Sequence, residues 1–266
     1  MADVEGLRRN GYGWGLIDVN GKEVGYPRIS TVSQGLKDNF LLVNWQKRNV
    51  AVGVAHNVDL ANRIRQLDPE TEKKGLDLLV KDAEHFSGAN NAAEKGTYVH
   101  LLTESVDAGQ PVAVPAEYQN IVQSYKDTVQ GFGLKQVSAE GFVVVDELQV
   151  CGSYDRIWEV PEQFRPPDGP YAIGDLKTGK SAPSYSHSIA IQMAMYAHGV
   201  HYNPLTRQRT PLPDGVSKMH GLLIHAPLTG GCDIYTLDLV EAWYWAQEIV
   251  KSRAWQKAKL TTKWSK

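Results

Sequence analysis

The stretch "YAIGDLKTGKS", residues 171–181, admits two readings that lead to different folds. Taken as Gly-x-x-x-x-Gly-Lys-Ser from Gly174 to Ser181, it is a phosphate-cradling loop, and the chain is a nucleotide hydrolase. Taken as a strand ending in Asp175-Leu176-Lys177, it sets a carboxylate and an ammonium on one face and turns Leu176 into the core. A phosphate loop needs a helix that begins at its lysine. Here the chain runs on through "KSAPSYSHS", where Pro183 and the serines around it delay any helix. No apolar strand ending in Asp follows to hold magnesium; "FVVVD" (142–146) lies upstream. The strand reading is therefore preferred, and the nucleotide hydrolase is kept as the alternative from another class.

A carboxylate beside an ammonium can hold a divalent metal and a water together. The metal lowers the water's pKa, and the lysine positions or deprotonates it. Magnesium takes hard oxygen ligands, usually one or two carboxylates, so a second carboxylate is needed. "CGSYDRI" (151–157) supplies Asp155 at the end of an adjoining strand, three residues after Gly152. Downstream, Gln192 and Tyr196 are four apart and share a helical face.

The surrounding pattern supports one α/β core. In "VPAEYQNIVQSYKDTVQGFG", Tyr118, Ile121, Val122, Tyr125 and Val129 recur at helical spacing, with Gly131 as a stop. "EGFVVVDELQVCGSYDRIWEV" is β-branched and aromatic, with a turn at Asp146-Glu147, and "YAIGDLKT" is a third strand. "SHSIAIQMAMYAHGVHY" reads as a helix, "KMHGLLIHAP" and "CDIYTLDL" as a closing strand pair, and "VEAWYWAQEIVKSRAWQKAK" as a last helix. Before this core, Asn20-Gly21 predicts a hairpin turn. "SQGLKDNFLLVNWQKRNVAVGVAHNV" predicts one or two helices. "LDPETEKKGLDLLVKDAEHF" predicts a helix capped by Asp68 with Pro69 first, and "NNAAEKGTYVHLLTESVDAG" one centred on His100. The division expected is 1–110, hairpin and helices, and 111–266, the core.

Composition narrows the class. With 42% hydrophobic and 22% charged residues, the 266-residue chain is ordinary globular protein. Its formal net charge of −2 advertises no polyanion, so any basic surface must be local. Two cysteines far apart, Cys151 and Cys232, argue against a disulfide framework or a cysteine zinc site, and two cannot hold a four-cysteine iron–sulfur cluster. The N-terminus has no signal-peptide core and no apolar run nears the length of a membrane helix, so a soluble protein of a reducing cytoplasm, with no membrane partner, is expected.

Gly-x-x-Asp, then Asp-x-Lys-Thr-Gly, then Gln-x-x-x-Tyr, in this order, resembles the RecB-like exonuclease branch of the PD-(D/E)XK nuclease superfamily. "KGTYVHLLTE" is similar to the helix that carries that family's additional histidine ligand, here His100, and "YPRISTVSQGLKDNFLLVNW" is similar to the N-terminal segment of phage-type members. The likeness covers roughly residues 26–200. It implies a restriction-endonuclease-like core (helix, three strands, helix, strands) with a helical N-terminal addition. It further implies a Mg2+- or Mn2+-dependent DNA exonuclease of phage or bacterial recombination and repair, working in the bacterial cytoplasm on DNA with free ends beside a single-strand annealing or recombination protein.

Residue by residue, the resemblance makes Asp155, Asp175, His100 and the Leu176 carbonyl metal ligands. It gives Lys177 to the attacking water and Gln192 and Tyr196 to the lysine or the scissile phosphate, with Glu140 as an additional metal or water ligand. It requires no nucleotide. CRISPR-associated relatives carry cluster cysteines that this chain lacks. An endonuclease, or a non-catalytic DNA-binding subunit on the same fold, is the alternative within the class. Arg28, Arg156 and Lys180 are the candidate phosphate contacts, and Trp45, beside Lys47 and Arg48, is a candidate for stacking on a base. His187, His198 and His201 read as surface or DNA-edge residues.

Overall fold

The computed structural model describes residues 4–89, 91–180 and 186–261. The chain divides into two compact units, Lys37–Leu101 and the combination of Met1–Leu36 with Leu102–Lys266. The expected boundary at 110/111 is not where they part, because the N-terminal hairpin belongs with the sheets. That hairpin, β1 (Gly15–Val19) and β2 (Lys22–Tyr26), turns on Asn20 and Gly21, both left-handed at φ 52° and 79°, as the Asn-Gly pair predicts. A single helical turn, α1 (Ile29–Val32), follows.

The Lys37–Leu101 unit holds α2 (Phe40–Ala55), α3 (Val58–Arg65), α4 (Lys73–Phe86) and most of α5 (Asn91–Asp107). Gly53 lets α2 and α4 touch, since a Cβ there would lie 1.9 Å from the Ala83 carbonyl oxygen. Helix α3 is not legible as an element of its own; Asn57 caps it by accepting from the Leu60 amide. The Asp68 cap is corrected: its carboxylate accepts from the Glu70 and Thr71 amides in a turn, and α4 starts only at Lys73.

In the larger unit, α6 (Gln119–Gly131) buries Ile121, Val122, Tyr125 and Val129, the face read from the sequence. Then come β3 (Lys135–Ala139), β4 (Phe142–Val145), β5 (Val150–Ser153), β6 (Arg156–Glu159) and β7 (Tyr171–Lys177). Helix α7 (His187–Ala197) ends sooner than expected, and Val200–Tyr202 is a strand, β8. Pairing with β4 at Val143 and Val144 claims those residues, a long-range contact that no local pattern shows. The chain closes with β9 (Arg209–Thr210), β10 (His220–His225), β11 (Asp233–Asp238) and α8 (Leu239–Gln256).

The fold is mixed α/β. One sheet has the order β11-β10-β7-β6-β3, with β10 parallel to β7; another has β5-β4-β8-β9. Helix α7 packs on β7 and against α8, and its Ile191, Met193, Met195 and Tyr196 lie in the main core with Ile157, Ile173 and Ile249. Each such side chain contributes roughly 1.5–3 kcal/mol through burial. Among the described residues, no helix is long and apolar enough to cross a membrane.

A bend in the sheets positions the site. The hairpin expected across 140–159 is bent: its first strand is β4, the strand before it, β3, is not marked by the sequence pattern and pairs with β6 in the first sheet, and its second strand divides into β6 and β5, the latter paired with β4 in the second sheet. Hydrogen bonds still cross the bend, from Glu140 N to Asp155 O (3.0 Å) and from Tyr154 N to Gly141 O (3.2 Å). Glu140 is left-handed there, at φ 51°. Tyr154 is fully buried in the corner, its hydroxyl 2.8 Å from Ser138 Oγ and 2.6 Å from His201 Nε2. A Cβ on Gly141 would stand 2.2 Å from that hydroxyl. Gly141→Ala is therefore expected to destabilise the protein by about 1–3 kcal/mol in urea unfolding. Gly131→Ala, with nothing within 4 Å of its Cβ, should leave stability unchanged or slightly raised.

Candidate active site

The bend puts Asp155 immediately before β6, whose Arg156 pairs with Gly174 on β7, so the register carries Asp155 to the level of Asp175. Asp155 Oδ2 accepts from the Leu176 amide at 3.1 Å. Leu176 is buried in the core, and Asp175 and Lys177 share the opposite face, as the strand spacing predicts. Lys177 Nζ lies 2.5 Å from Asp175 Oδ2. This ion pair is the contact that buried oxygen makes.

Helix α7 supplies the third side. Gln192 Nε2 donates to Tyr196 Oη at 3.2 Å. Gly152 makes room for this tyrosine: a Cβ there would lie 3.3 Å from Tyr196 Cε1. The Gly-x-x-Asp spacing thus has a packing reason. Glu140 enters through its backbone bond to Asp155. Glu104, on the last part of α5, acts on Glu140 electrostatically; no motif in the sequence marks it.

The charges strain against one another. Burial first, then the Asp155 charge, pushes Asp175 up to about 6. Burial, then Asp155 and Glu104, pushes Glu140 up to about 7. Burial works against the charged form of Lys177, but Asp175 and Asp155 outweigh it and hold the ammonium above its usual pKa. Burial and the same carboxylates keep the Tyr196 phenol protonated.

Among the described residues, no three His, Cys, Asp or Glu side chains are arranged to hold a metal ion. The pair that could hold a hard cation is smaller: the carboxylates of Asp155 and Asp175, brought to one level by the register of β6 and β7. His100 lies on α5, in the Lys37–Leu101 unit.

Several expected contacts change. Arg156 is corrected: only 3% exposed, it donates to Asp107 Oδ2 at 2.6 Å and Thr103 Oγ1 at 2.9 Å, and cannot reach a phosphate from there. Alternation along β6 turns it away from Asp155. Lys180 is exposed and Arg28 half-buried, while Trp45, Lys47 and Arg48 are exposed on α2. His198 stacks on Trp243 at 3.9 Å, and His201 is held by Tyr154, so neither is a free surface residue. Strand β7 speaks against the phosphate-loop alternative. Gly174 to Lys177 pair with β10, and Gly174 also with Arg156 of β6, so they are extended strand and not a loop wrapped around a phosphate. A Cβ at Gly174 would lie 2.4 Å from Trp158 Nε1, so this glycine is there for packing. The first helical residue described after Lys180 is His187, and Ser181 lies outside the described residues.

Compared with known proteins, the chain matches no family model and no curated sequence.

The raised carboxyls give a pH test. A carboxyl whose folded pKa exceeds its unfolded value stabilises the fold below the unfolded pKa and loses that contribution as pH rises through the folded one. For Asp175 the loss runs from about 4 to about 6, and for Glu140 to about 7. In EDTA, Asp175→Asn should therefore gain stability relative to wild type between pH 5 and pH 8, by roughly 1–3 kcal/mol, read from thermal unfolding. A difference that does not vary with pH would show that the buried charge is not under this pressure.

Proposed function

We propose that this chain is a divalent-metal-dependent deoxyribonuclease with a restriction-endonuclease-like core, and an exonuclease rather than a site-specific endonuclease. The observation that carries the reading is the Asp155–Asp175–Lys177 corner, with Gln192 and Tyr196 beside it. Asp155 and Asp175 would hold the cation, which when bound supplies Lewis-acid activation of water and neutralises charge on the leaving oxygen. Lys177 brings a fixed positive charge to the reacting phosphate, and Tyr196, kept protonated, offers a hydroxyl donor. Gln192 orients that hydroxyl. The order of motifs adds the family resemblance, and with it a place in phage or bacterial recombination and repair.

The exonuclease preference rests on the elements C-terminal to the core strands. Base-specific reading needs side chains placed in the major groove, and among the described residues after β7 the strands, α7 and α8 form no recognisable groove-reading module. Contacts would then be mostly to phosphate, so binding should fall steeply with salt and vary little with sequence.

Incubation of labelled linear duplex, linear single strands and covalently closed circles with Mg2+ or Mn2+, with and without ATP, tests this directly. Progressive, ATP-independent loss of the linear forms with circles intact is expected. Discrete fragments from closed circles would make the protein an endonuclease, and binding without cleavage would make it a DNA-binding subunit. Asp175→Ala and Lys177→Ala should each lower cleavage by about 10²–10⁴-fold, while Lys180→Ala costs little. The reverse order would reinstate the nucleotide loop. For His100, calorimetry decides: a ligand role predicts weakened Mn2+ binding in His100→Ala, and unchanged affinity removes it from the site.

A further inference from the structure

The end of α8 meets the N-terminal loop at one point: Lys257 Nζ sits 4.7 Å from the centroid of the Trp14 ring. This joins "GLRRNGYGW" (6–14) to "KSRAWQKAKL" (251–260). Both stretches are basic and neither contains Asp or Glu, in a chain whose net charge is −2. Arg8 is paired with Glu23 and Lys251 with Glu248, so the excess positive charge where the two meet comes from the remaining cations, Arg253, Lys257 and Lys259 among them.

The loop is ordered. Asn10 Oδ1 accepts from the Tyr12 and Trp14 amides, each at 3.0 Å. Asn10 N donates to Trp14 O at 3.0 Å, Gly13 N to Asn10 O at 2.9 Å, and Arg9 Nη1 to Gly13 O at 3.1 Å. Gly25 on β2 leaves the space in which this sits: a Cβ there would be 2.9 Å from Asn10 Nδ2 and 3.3 Å from Trp14 Cε3. Trp14 is thus seated on the hairpin. The Tyr12 ring lies 5.7 Å from it, tilted by 40°, and is 84% exposed. A lone exposed tyrosine is ordinary. A ring held out by a hydrogen-bonded loop and braced by an indole that itself carries a lysine over its face has the composition of a base-stacking platform.

We propose that this surface binds single-stranded DNA. The Tyr12 ring takes a base, and Arg253, Lys257 and Lys259 take neighbouring phosphates. Arg8 is already paired with Glu23, which leaves the helix-end cations for the strand. Stacking needs an unpaired base face, so the platform favours single strands over duplex. Resting on the nuclease reading above, the site would hold the strand that such an enzyme feeds or releases.

The experiment uses the full chain in EDTA, so that nothing is cleaved, with fluorescein-labelled oligo(dT) followed by anisotropy. Tyr12→Ala should weaken binding by about 5- to 150-fold, and Tyr12→Phe should keep it because the ring remains. Lys257→Ala with Lys259→Ala should reduce the salt slope by about 0.7 for each phosphate no longer neutralised. Unchanged affinity in Tyr12→Ala overturns the proposal, as does an equal loss on blunt duplex, which would mean a general basic patch. The two readings fail separately. Oligo(dT) binding that needs Tyr12, in a protein that cleaves no DNA with Mg2+ or Mn2+, keeps the platform and ends the nuclease reading. Cleavage with binding indifferent to Tyr12 does the opposite.

Discussion

A hairpin that leaves one sheet and enters another must turn a corner in both of its strands at once. Here the corner falls between Ala139 and Phe142 on one strand and between Ser153 and Arg156 on the other. Glu140 absorbs the turn with a left-handed backbone, which costs a non-glycine residue of order 1 kcal/mol or more. Gly141 absorbs it by having no side chain, which lets Tyr154 fill the inside of the bend. The hydroxyl of Tyr154 then spans Ser138 on the first sheet's strand and His201 on the second sheet's strand. The residue after Tyr154 is Asp155. Its position opposite Asp175 is a consequence of where the hairpin bends.

Electrostatics explains why the bend is worth keeping. Asp155 is followed in sequence by an arginine that would neutralise it if it faced the same way. Instead Arg156 points to the other side, where Asp107, Thr103 and the Tyr125 hydroxyl complete a buried ion pair. Burial still lifts Asp107 above the ordinary carboxylate range, so Arg156 is committed there. Asp155 and Asp175 act on each other across the corner, and Lys177 acts on both. Buried charge without full compensation is costly, and the raised Asp175 registers that cost.

The sequence made part of this legible. The Asp175/Lys177 face, the buried face of α6 and the Asn20-Gly21 turn follow from period and turn chemistry alone, and each is present. The same rule argues against Arg156 as a phosphate contact beside Asp155, since neighbours on a strand face opposite ways. The corner is not legible: β3 is not marked before "EGFVVV", "CGSYDRIW" reads as unbroken strand, and only the exchange of partners between sheets divides it. Likewise "HGVHY" carries a helix-compatible pattern until β4 recruits it. Asp68 reads as a helix cap because the same side-chain geometry caps turns. Such failures arise where a distant partner overrides a local preference.

The geometry also sorts the proton-transfer roles within the nuclease reading. Lys177 is held charged by two carboxylates, so at neutral pH it is a poor acceptor for a water's proton. Its service is charge and position. Glu140 is different: pushed to about 7, it exchanges its proton near neutrality, and it is tied through the backbone to Asp155. A general base works best when its pKa lies near the working pH. Within that reading, the strained residue at the bend would be better matched to taking the proton than the lysine of the Asp-x-Lys motif, which would serve through its charge.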